Sequence, residues 1–177
     1  MPEKKPLISV VMSVYNGDQF LAEAIESILH QSWRDFEFII VDDASRDTTS
    51  QILEQYQKQD DRIHLLRNEV NSGLGCSLQK GVEAARGRFI ARMDADDISL
   101  PDRFEKQLNY LINHSEIKIL GSGLLLIDEN GKVVTQMQFL SAGSLLKWNM
   151  LLGNGIIVSH PSVMMERGFI ISLGGYC

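Results

Sequence analysis

The first two-thirds of the chain alternates between short continuous apolar runs and segments whose apolar residues recur at helical spacing. Continuous apolar runs predict strands buried on both faces; they occupy residues 7–14, 36–43, 63–67 and 89–93. Apolar residues three and four positions apart predict helices with one buried face; these occupy residues 19–31, 47–59, 74–85 and 100–114. Since strand and helix alternate, the pattern indicates βαβ units, a parallel sheet and right-handed crossovers.

The pattern changes from about residue 117. Apolar segments on either side of Asp128–Gly131 predict two strands joined by a turn. Residues 142–152 have the spacing of a helix, and residues 156–167 predict a strand broken at Pro161. The chain contains no repeat, low-complexity tract or linker, so we expect a single α/β domain over residues 1–177.

Composition narrows the classes of function. The chain has 177 residues, 44% of them hydrophobic and 23% charged, with a net charge of −6. A block of Lys and Arg is missing from the sequence, which argues against a nucleic-acid partner. An anionic substrate would therefore need a local cation, either basic side chains or a metal. Cys76 and Cys177 are too few for a disulfide framework. The N-terminal apolar run reads as a buried strand rather than a signal peptide. Both features predict a cytoplasmic protein.

Polar and acidic residues follow the predicted strands at one edge of the sheet, where open α/β sheets bind ligands. Tyr15–Asp18 follow the first strand, Asp42 and Asp43 the second, the loop 68–75 the third, and Asp94, Asp96 and Asp97 the fourth. This convergence from four segments is stronger evidence than any single motif.

The sequence Asp94-Ala95-Asp96 has the form D-x-D. In an extended segment residues two apart point the same way, so we expect the two carboxylates to share a side. Paired carboxylates suit Mg²⁺ or Mn²⁺, which keep positions open for phosphate oxygens. Such an ion neutralises the charge of a departing diphosphate.

Structural explanations compete for several of these residues. Ser99 and Asp102 have the spacing of a capping box at the start of a helix. Either Asp42 or Asp43 could cap a turn, Tyr15 could pack in the core, and Asp97 is either a loop acid or a brace for Asp96. His160, before Pro161, fits a hydrogen-bonded structural histidine better than a ligand.

Two other enzyme or signalling classes fail at their most specific residues. A nicotinamide-binding domain needs G-x-G-x-x-G after the first strand, where this chain has YNGDQFL. A phospho-acceptor receiver domain needs its acids after the first and third strands, but here they follow the second and fourth. A non-catalytic nucleotide-sugar or glycan-binding module stays open as the alternative, and it would not need a metal-binding acid pair.

The motifs together resemble the inverting family 2 glycosyltransferases, which have the GT-A fold. The resemblance rests on ISVVMSVYNG, DFEFIIVDDASRDTT, NSGLG and RGRFIARMDADDISLPDRF, and it extends through GNGIIVSHPSVMMERGFIISLGGY. It runs from about Leu7 to Tyr176, nearly the whole chain. The combined pattern is far more specific than D-x-D alone.

This resemblance implies roles for individual residues in binding a nucleotide sugar. Ser13, Val14 and Tyr15 are similar to the segment that borders the nucleobase, and Asp43 to the acid that contacts the base or ribose. Asp94 matches the first acid of the family's D-x-D, near the ribose, and Ala95 the residue between the two acids. Asp96 matches the acid that coordinates Mg²⁺ or Mn²⁺ on the diphosphate.

The resemblance implies transfer of a sugar from a nucleoside-diphosphate donor, most often a UDP-sugar, to a glycan or lipid-linked acceptor with inversion. It also allows peripheral association with the inner face of the membrane.

The sequence departs from the family's pattern at two places. Leu78-Gln79 replaces an Arg-Asn pair of many relatives. The acidic pair that supplies the family's general base would follow the segment similar to LGGY, so we expect a chain truncated before that base.

Overall fold

The computed structural model describes residues 5–128, 130–138 and 159–176. The strands of this part are β1 (Ile8–Val14), β2 (Phe36–Asp42), β3 (Ile63–Arg67), β4 (Phe89–Met93), β5 (Ile119–Leu120), β6 (Leu124–Ile127), β7 (Val133–Met137) and β8 (Met164–Glu166). The helices are α1 (Leu21–Leu29), α2 (Thr49–Gln59), α3 (Leu74–Ala84), α4 (Arg103–Asn113) and α5 (Arg167–Ser172). The predicted strands and helices of the first two-thirds are confirmed, with bounds shifted by up to three residues.

The main sheet has the strand order β3-β2-β1-β4-β8-β5. The first four strands along the chain pair in parallel, as the alternating pattern predicts. Strand β8 returns antiparallel between β4 and β5, an insertion that the sequence pattern did not reveal. Strands β6 and β7 form a separate hairpin that turns at Asp128 and Gly131, where the turn was expected.

Helices cover both faces of the sheet. On one face α1, α2 and α4 pack on a core that includes Ile25, Leu53, Phe104 and Leu108. On the other face α3 and α5 contact a smaller core around Val11 and Val82. The chain crosses from the first face to the second between β3 and β4, so the strand order reverses beside β1. This reversal opens a crevice beyond the carboxyl end of β1.

A glycine brings α3 onto the sheet. A Cβ atom on Gly81 would lie 2.5 Å from the Val11 side chain, so only glycine permits this approach between helix and strand. The close contact holds α3, and the loop before it, against the carboxyl half of β1 and β2.

The end of the chain differs in part from expectation. Pro161 lies in a single 3₁₀ turn (His160–Ser162), so the predicted break before β8 is confirmed. The predicted helix at 142–152 and the first residues of the predicted strand at 156–167 lie outside the described residues. Within the part of the chain that the structure describes, no helix has the length and apolar character to cross a bilayer.

The predicted capping box at the start of α4 is wrong. The helix begins at Arg103, and the Asp102 side chain makes no capping hydrogen bond. The Ser99 hydroxyl is buried and accepts a hydrogen bond from the Gln31 side chain at 3.1 Å. Gln31 Oε1 in turn accepts from the Phe104 backbone N–H at 3.1 Å. A glutamine from the α1 side of the molecule therefore caps α4, which local spacing could not reveal.

Candidate functional site

The loops after β1 and β2 lock together at the carboxyl edge of the sheet. The Asn16 backbone N–H donates to Ser45 Oγ at 3.0 Å, and Asn16 Oδ1 accepts from the Arg46 N–H at 2.8 Å. The Gly17 N–H donates to Thr49 Oγ1 at 2.9 Å. The loop after β1 is thus held by hydrogen bonds, although Asn16 adopts a positive φ of 51°.

Two acids complete this junction. Asp18 Oδ2 accepts from the Thr48 hydroxyl at 2.8 Å. Asp47 Oδ1 accepts from the Thr49 N–H at 3.0 Å, at the start of α2. Since both carboxylates accept hydrogen bonds within the protein, the polar residues after β1 and β2 serve mainly to fix the two loops.

A cavity of about 390 Å³ opens beside these loops. Its lining comes from the ends of β1, β2 and β3 and includes Tyr15, Asp42, Arg67 and Asn68. The Tyr15 side chain is 46% exposed, so core packing does not explain it. An exposed aromatic ring at the mouth of a polar cavity is suited to stacking on a planar ligand.

Asp42, at the end of β2, is buried and makes hydrogen bonds within the protein. Its carboxylate accepts from the Ser45 N–H at 3.0 Å and from the Ser50 hydroxyl at 2.6 Å. Asp42 therefore closes the turn into α2.

Asp43 is only 2% exposed and holds the loop that follows β3. Its Oδ1 accepts from the Asn68 side chain at 2.7 Å and from the Ser72 N–H at 2.8 Å, and its Oδ2 accepts from the Gly73 N–H at 2.8 Å. Burial by itself raises the pKa of the Asp43 carboxyl, but these hydrogen bonds outweigh it and lower the pKa below its ordinary value. The Ser77 side chain is a further hydrogen-bond partner that lowers this pKa, so four groups hold the buried carboxylate.

Lys80 extends this arrangement from α3. Its ammonium donates to the Arg67 carbonyl at 2.6 Å and to Asn68 Oδ1 at 2.9 Å. Sequence reasoning did not place Lys80 among the candidate site residues and missed this contact. Its position one helical turn after Ser77, which accepts from Asn68 at 2.9 Å, is the signal that was available.

The acids after β4 lie in a different environment. Ala95 and Asp96 form a turn rather than an extended segment, so the alternation expected for Asp94 and Asp96 does not apply. The Asp94 side chain is 32% exposed, and Asp96 is exposed as well. This turn lies close to the loop after β1, because a Cβ atom on Gly17 would be 3.8 Å from that of Ala95. The D-x-D turn therefore adjoins, through Ala95, the loop that carries Tyr15, while its acids lie outside the lining of the cavity beside Tyr15.

Two arginines, Arg92 fully buried and Arg103 partly buried, lie beneath these acids. Arg92 is 0% exposed, and its guanidinium donates to the Met93 carbonyl and to Asp94 Oδ1. Arg103 donates to the Arg92 carbonyl at 2.7 Å. Burial and repulsion from Arg92 lower the pKa of Arg103 to about 10, and attraction to Asp97 only partly opposes this shift. Arg103 therefore keeps its charge at neutral pH. Sequence reasoning missed both cations; for Arg92 the available signal was a charged residue inside an apolar strand.

Asp97 has a raised pKa. Burial and repulsion by Asp94 and Asp96 raise the pKa of the Asp97 carboxyl, and the two arginines only partly oppose this. Asp97 is therefore part of one cluster of interacting charges with the neighbouring acids and the two arginines, and it is not an isolated loop acid.

His160 and Tyr176 form a pair near Asp94. His160 Nε2 lies 3.0 Å from the Tyr176 hydroxyl, and the rings meet edge to face at 5.5 Å. Burial and the charge of Arg92 lower the pKa of His160, while Asp94 raises it. Tyr176 is held by its backbone N–H, which donates to Gln79 Oε1 at 2.8 Å. Gln79, one of the two departures noted in the sequence, therefore anchors this segment.

The described residues fit a divalent ion whose remaining coordination positions are filled by water and by the bound phosphate ligand. Among the described residues no group of three or more His, Cys, Asp and Glu is arranged to hold a metal. Asp96, however, is exposed and receives no hydrogen bond from a described residue. A free carboxylate beside a cavity suits Mg²⁺ or Mn²⁺, which complete their shell with water and phosphate oxygens.

Comparisons with known proteins bear on the family to which the chain is similar. The family model of Glycosyl transferase family 2 matches residues 9–174. An uncharacterized glycosyltransferase of Methanocaldococcus jannaschii is 46% identical over 76% of this chain and 47% of its own length. EpsE of Bacillus subtilis, named as a glycosyltransferase, is 39% identical over 97% of this chain and 60% of its own length. The O-antigen biosynthesis glycosyltransferase WbnJ of Escherichia coli is 33% identical over 97% of this chain and 66% of its own length. The chain thus spans between about half and two-thirds of these relatives.

Solved structures share the fold. S. aureus TarS in complex with UDP superposes with a TM-score of 0.70 at 24% identity, covering 94% of this chain and 48% of that one. The mannosyltransferase PcManGT of Pyrobaculum calidifontis, in complex with GDP-Man and Mn²⁺, gives a TM-score of 0.72 at 16% identity, covering 98% of this chain and 48% of that one. These likenesses confirm the GT-A fold expected from the sequence.

Proposed function

Because the chain belongs to Glycosyl transferase family 2, we propose that it forms the nucleotide-sugar-binding part of an enzyme that transfers a sugar from a UDP-sugar to an acceptor hydroxyl with inversion. One observation carries the proposal. The cavity beside Tyr15 opens at the loop after β1, and the turn that carries the exposed Asp96 lies against the same loop at Gly17, so a nucleoside and its diphosphate have adjacent places.

The nucleoside lies in the cavity. Ser13 and Val14 end β1 beneath it, and Tyr15 stacks on the base. Asp43 contacts the base or ribose, while its hydrogen bonds to Asn68, Ser72 and Gly73 keep the loop 68–73 in place. The depressed pKa of Asp43 keeps it an acceptor at neutral pH.

The diphosphate lies toward the turn after β4. Asp94 accepts from a donor hydroxyl, with Ala95 leaving room for the close approach, and Asp96 holds Mn²⁺ or Mg²⁺. When bound, the ion offsets the negative charge that gathers on the leaving diphosphate. We assign the base that deprotonates the acceptor to none of the described residues.

The solved neighbours support a nucleoside-diphosphate sugar as donor: TarS is known with UDP and with UDP-GlcNAc, and PcManGT with GDP-Man and Mn²⁺. The UDP complexes of TarS favour the choice of a UDP-sugar. The name of WbnJ points to assembly of a surface polysaccharide. We propose a growing glycan or lipid-linked glycan as the acceptor, reached by peripheral association with the membrane.

Calorimetric titration tests the donor site. UDP is titrated into wild type and Asp96→Ala, each with and without Mn²⁺. We expect Mn²⁺ to tighten UDP binding by at least about tenfold in wild type and to have little effect in Asp96→Ala, because removing a charged ligand to the ion costs more than about 1.4 kcal/mol.

Asp102→Ala is the matched control, since Asp102 is a half-exposed aspartate further along the same segment and, among the described residues, its side chain pairs with Lys106 alone. It should bind UDP as wild type does. Equal UDP affinity in all proteins, with and without Mn²⁺, would contradict the metal site, and no UDP binding by wild type would contradict the function.

A further inference from the structure

Arg92 carries a positive charge at a fully buried position. It lies in β4, whose five residues are all buried, and it shares a sheet face with Ile90 in the core beneath α3. Burying a guanidinium costs several kcal/mol unless hydrogen bonds and an opposite charge offset the loss of water. Among the described residues, the acceptors it has are the Met93 carbonyl and Asp94, and its Nε has none.

The hydrogen bond to Asp94 leaves that carboxylate half available. Arg92 Nη2 donates to Asp94 Oδ1, and no described residue donates to Oδ2. The guanidinium is fixed by burial, so it also fixes the carboxylate, which is 32% exposed at the crevice. Asp94 therefore presents a single oriented oxygen to a ligand.

Asp96, the second acid of the D-x-D motif, lies in a different environment from Asp94. Asp96 is exposed and has no cationic partner among the described residues. A cation prefers the carboxylate whose charge is not already offset by an arginine. The buried arginine thus makes two chemically identical acids unequal.

We propose that Arg92 is a positioning residue that directs Asp94 to a hydroxyl of the donor and leaves Asp96 as the carboxylate for the metal. The inference rests on the function proposed above. It adds a determinant that lies inside the core and does not touch the donor.

A double-mutant cycle tests this assignment. UDP affinity at saturating Mn²⁺ is measured for wild type, Arg92→Met, Asp94→Asn and the double variant. We expect Arg92→Met to weaken UDP binding by about tenfold in wild type and by less than about twofold in the Asp94→Asn background. Arg92→Lys should restore most of the affinity, because its ammonium can still donate to Asp94. The ratio of UDP affinities with and without Mn²⁺ should stay at the wild-type value.

Arg103 supplies the matched control. It is an arginine of the same cluster that donates to carbonyl groups rather than to Asp94. Arg103→Met should change UDP affinity by the same factor in both backgrounds. If Arg92→Met does not fold, the cycle is run with Arg92→Lys, for which a weakening of about threefold that vanishes in the Asp94→Asn background is expected.

The outcomes separate the two proposals. An equal loss from the Arg92 substitution in both backgrounds means a purely structural role and overturns the inference alone. A lost response to Mn²⁺ in the Arg92 variant also overturns it, because the arginine would then act on the metal carboxylate. Wild type that fails to bind UDP overturns the proposed function and this inference together.

Discussion

Two pairs of acids look alike in the sequence and differ in the fold. Asp42-Asp43 and Asp94-Ala95-Asp96 each follow a buried strand and reach the same edge of the sheet. The pair after β2 is buried and accepts hydrogen bonds from backbone and side-chain donors. The acids after β4 are exposed or half-exposed, and among the described residues only Asp94 has a close cationic partner, the buried Arg92. The comparison teaches that acids saturated with hydrogen bonds build the site, while those left unsaturated are available to a ligand.

Asp43→Asn should give the largest loss of stability. The asparagine amide cannot accept all the hydrogen bonds that Asn68, Ser72 and Gly73 donate. Each hydrogen bond to a charged group contributes about 1.5–3 kcal/mol to stability. We expect the free energy of unfolding to fall by roughly 2–4 kcal/mol, measured by urea denaturation at pH 7.

The same change at the other pair is the control. Asp96→Asn should alter stability by less than about 0.5 kcal/mol, because the side chain is exposed and unsaturated. The depressed pKa of Asp43 also sets a pH dependence. Its stabilisation is present above the unfolded pKa of about 3.9 and is lost as pH falls through the lower folded value, so the Asn penalty should shrink in acid. Equal penalties at positions 43 and 96 would remove the distinction between the pairs.

Ser50→Ala tests Asp42 with a smaller expected effect. The Ser50 hydroxyl donates to Asp42 Oδ2 at 2.6 Å, and deleting one hydrogen bond to a partly buried carboxylate typically costs about 1–2 kcal/mol. Thermal unfolding should show a lower Tm. Ser172→Ala, at a hydroxyl bonded only within its own helix, should leave the Tm nearly unchanged. A wild-type Tm for Ser50→Ala would mean that Asp42 does not depend on this bond.

Asp97→Asn should have the smallest effect and the opposite sign. The raised pKa means that the ionised Asp97 destabilises the folded state through burial and repulsion by its neighbours. The destabilisation is absent in acid and develops as pH rises from the unfolded to the folded pKa. Removing the charge should therefore raise the urea midpoint slightly at pH 7, by an amount that vanishes below about pH 4. A lower midpoint at pH 7 would show that Asp97 is held by attraction to Arg103 instead.

The sequence predicted the first two-thirds of the fold because strands buried on both faces and helices with one apolar face have distinct periodicities. It also predicted which edge of the sheet carries the acids, since parallel strands bring their carboxyl ends together. It did not predict that β8 enters between β4 and β5, because a three-residue strand carries almost no periodicity. The start of α4 was wrong for a related reason: Ser99 bonds to Gln31, a residue 68 positions away.

What the sequence determined by itself was therefore the parallel sheet, its ligand-binding edge and the set of acids placed there. Their division of labour was decided only by the tertiary structure. Asp43 became an anchor because the loop 68–73 folds over it and offers backbone N–H groups. Asp94 and Asp96 became unequal because Arg92 is buried beneath one of them. Hydrogen bonding and burial depend on neighbours distant in sequence, and these two properties separate an acid that holds the fold from one that is free to bind.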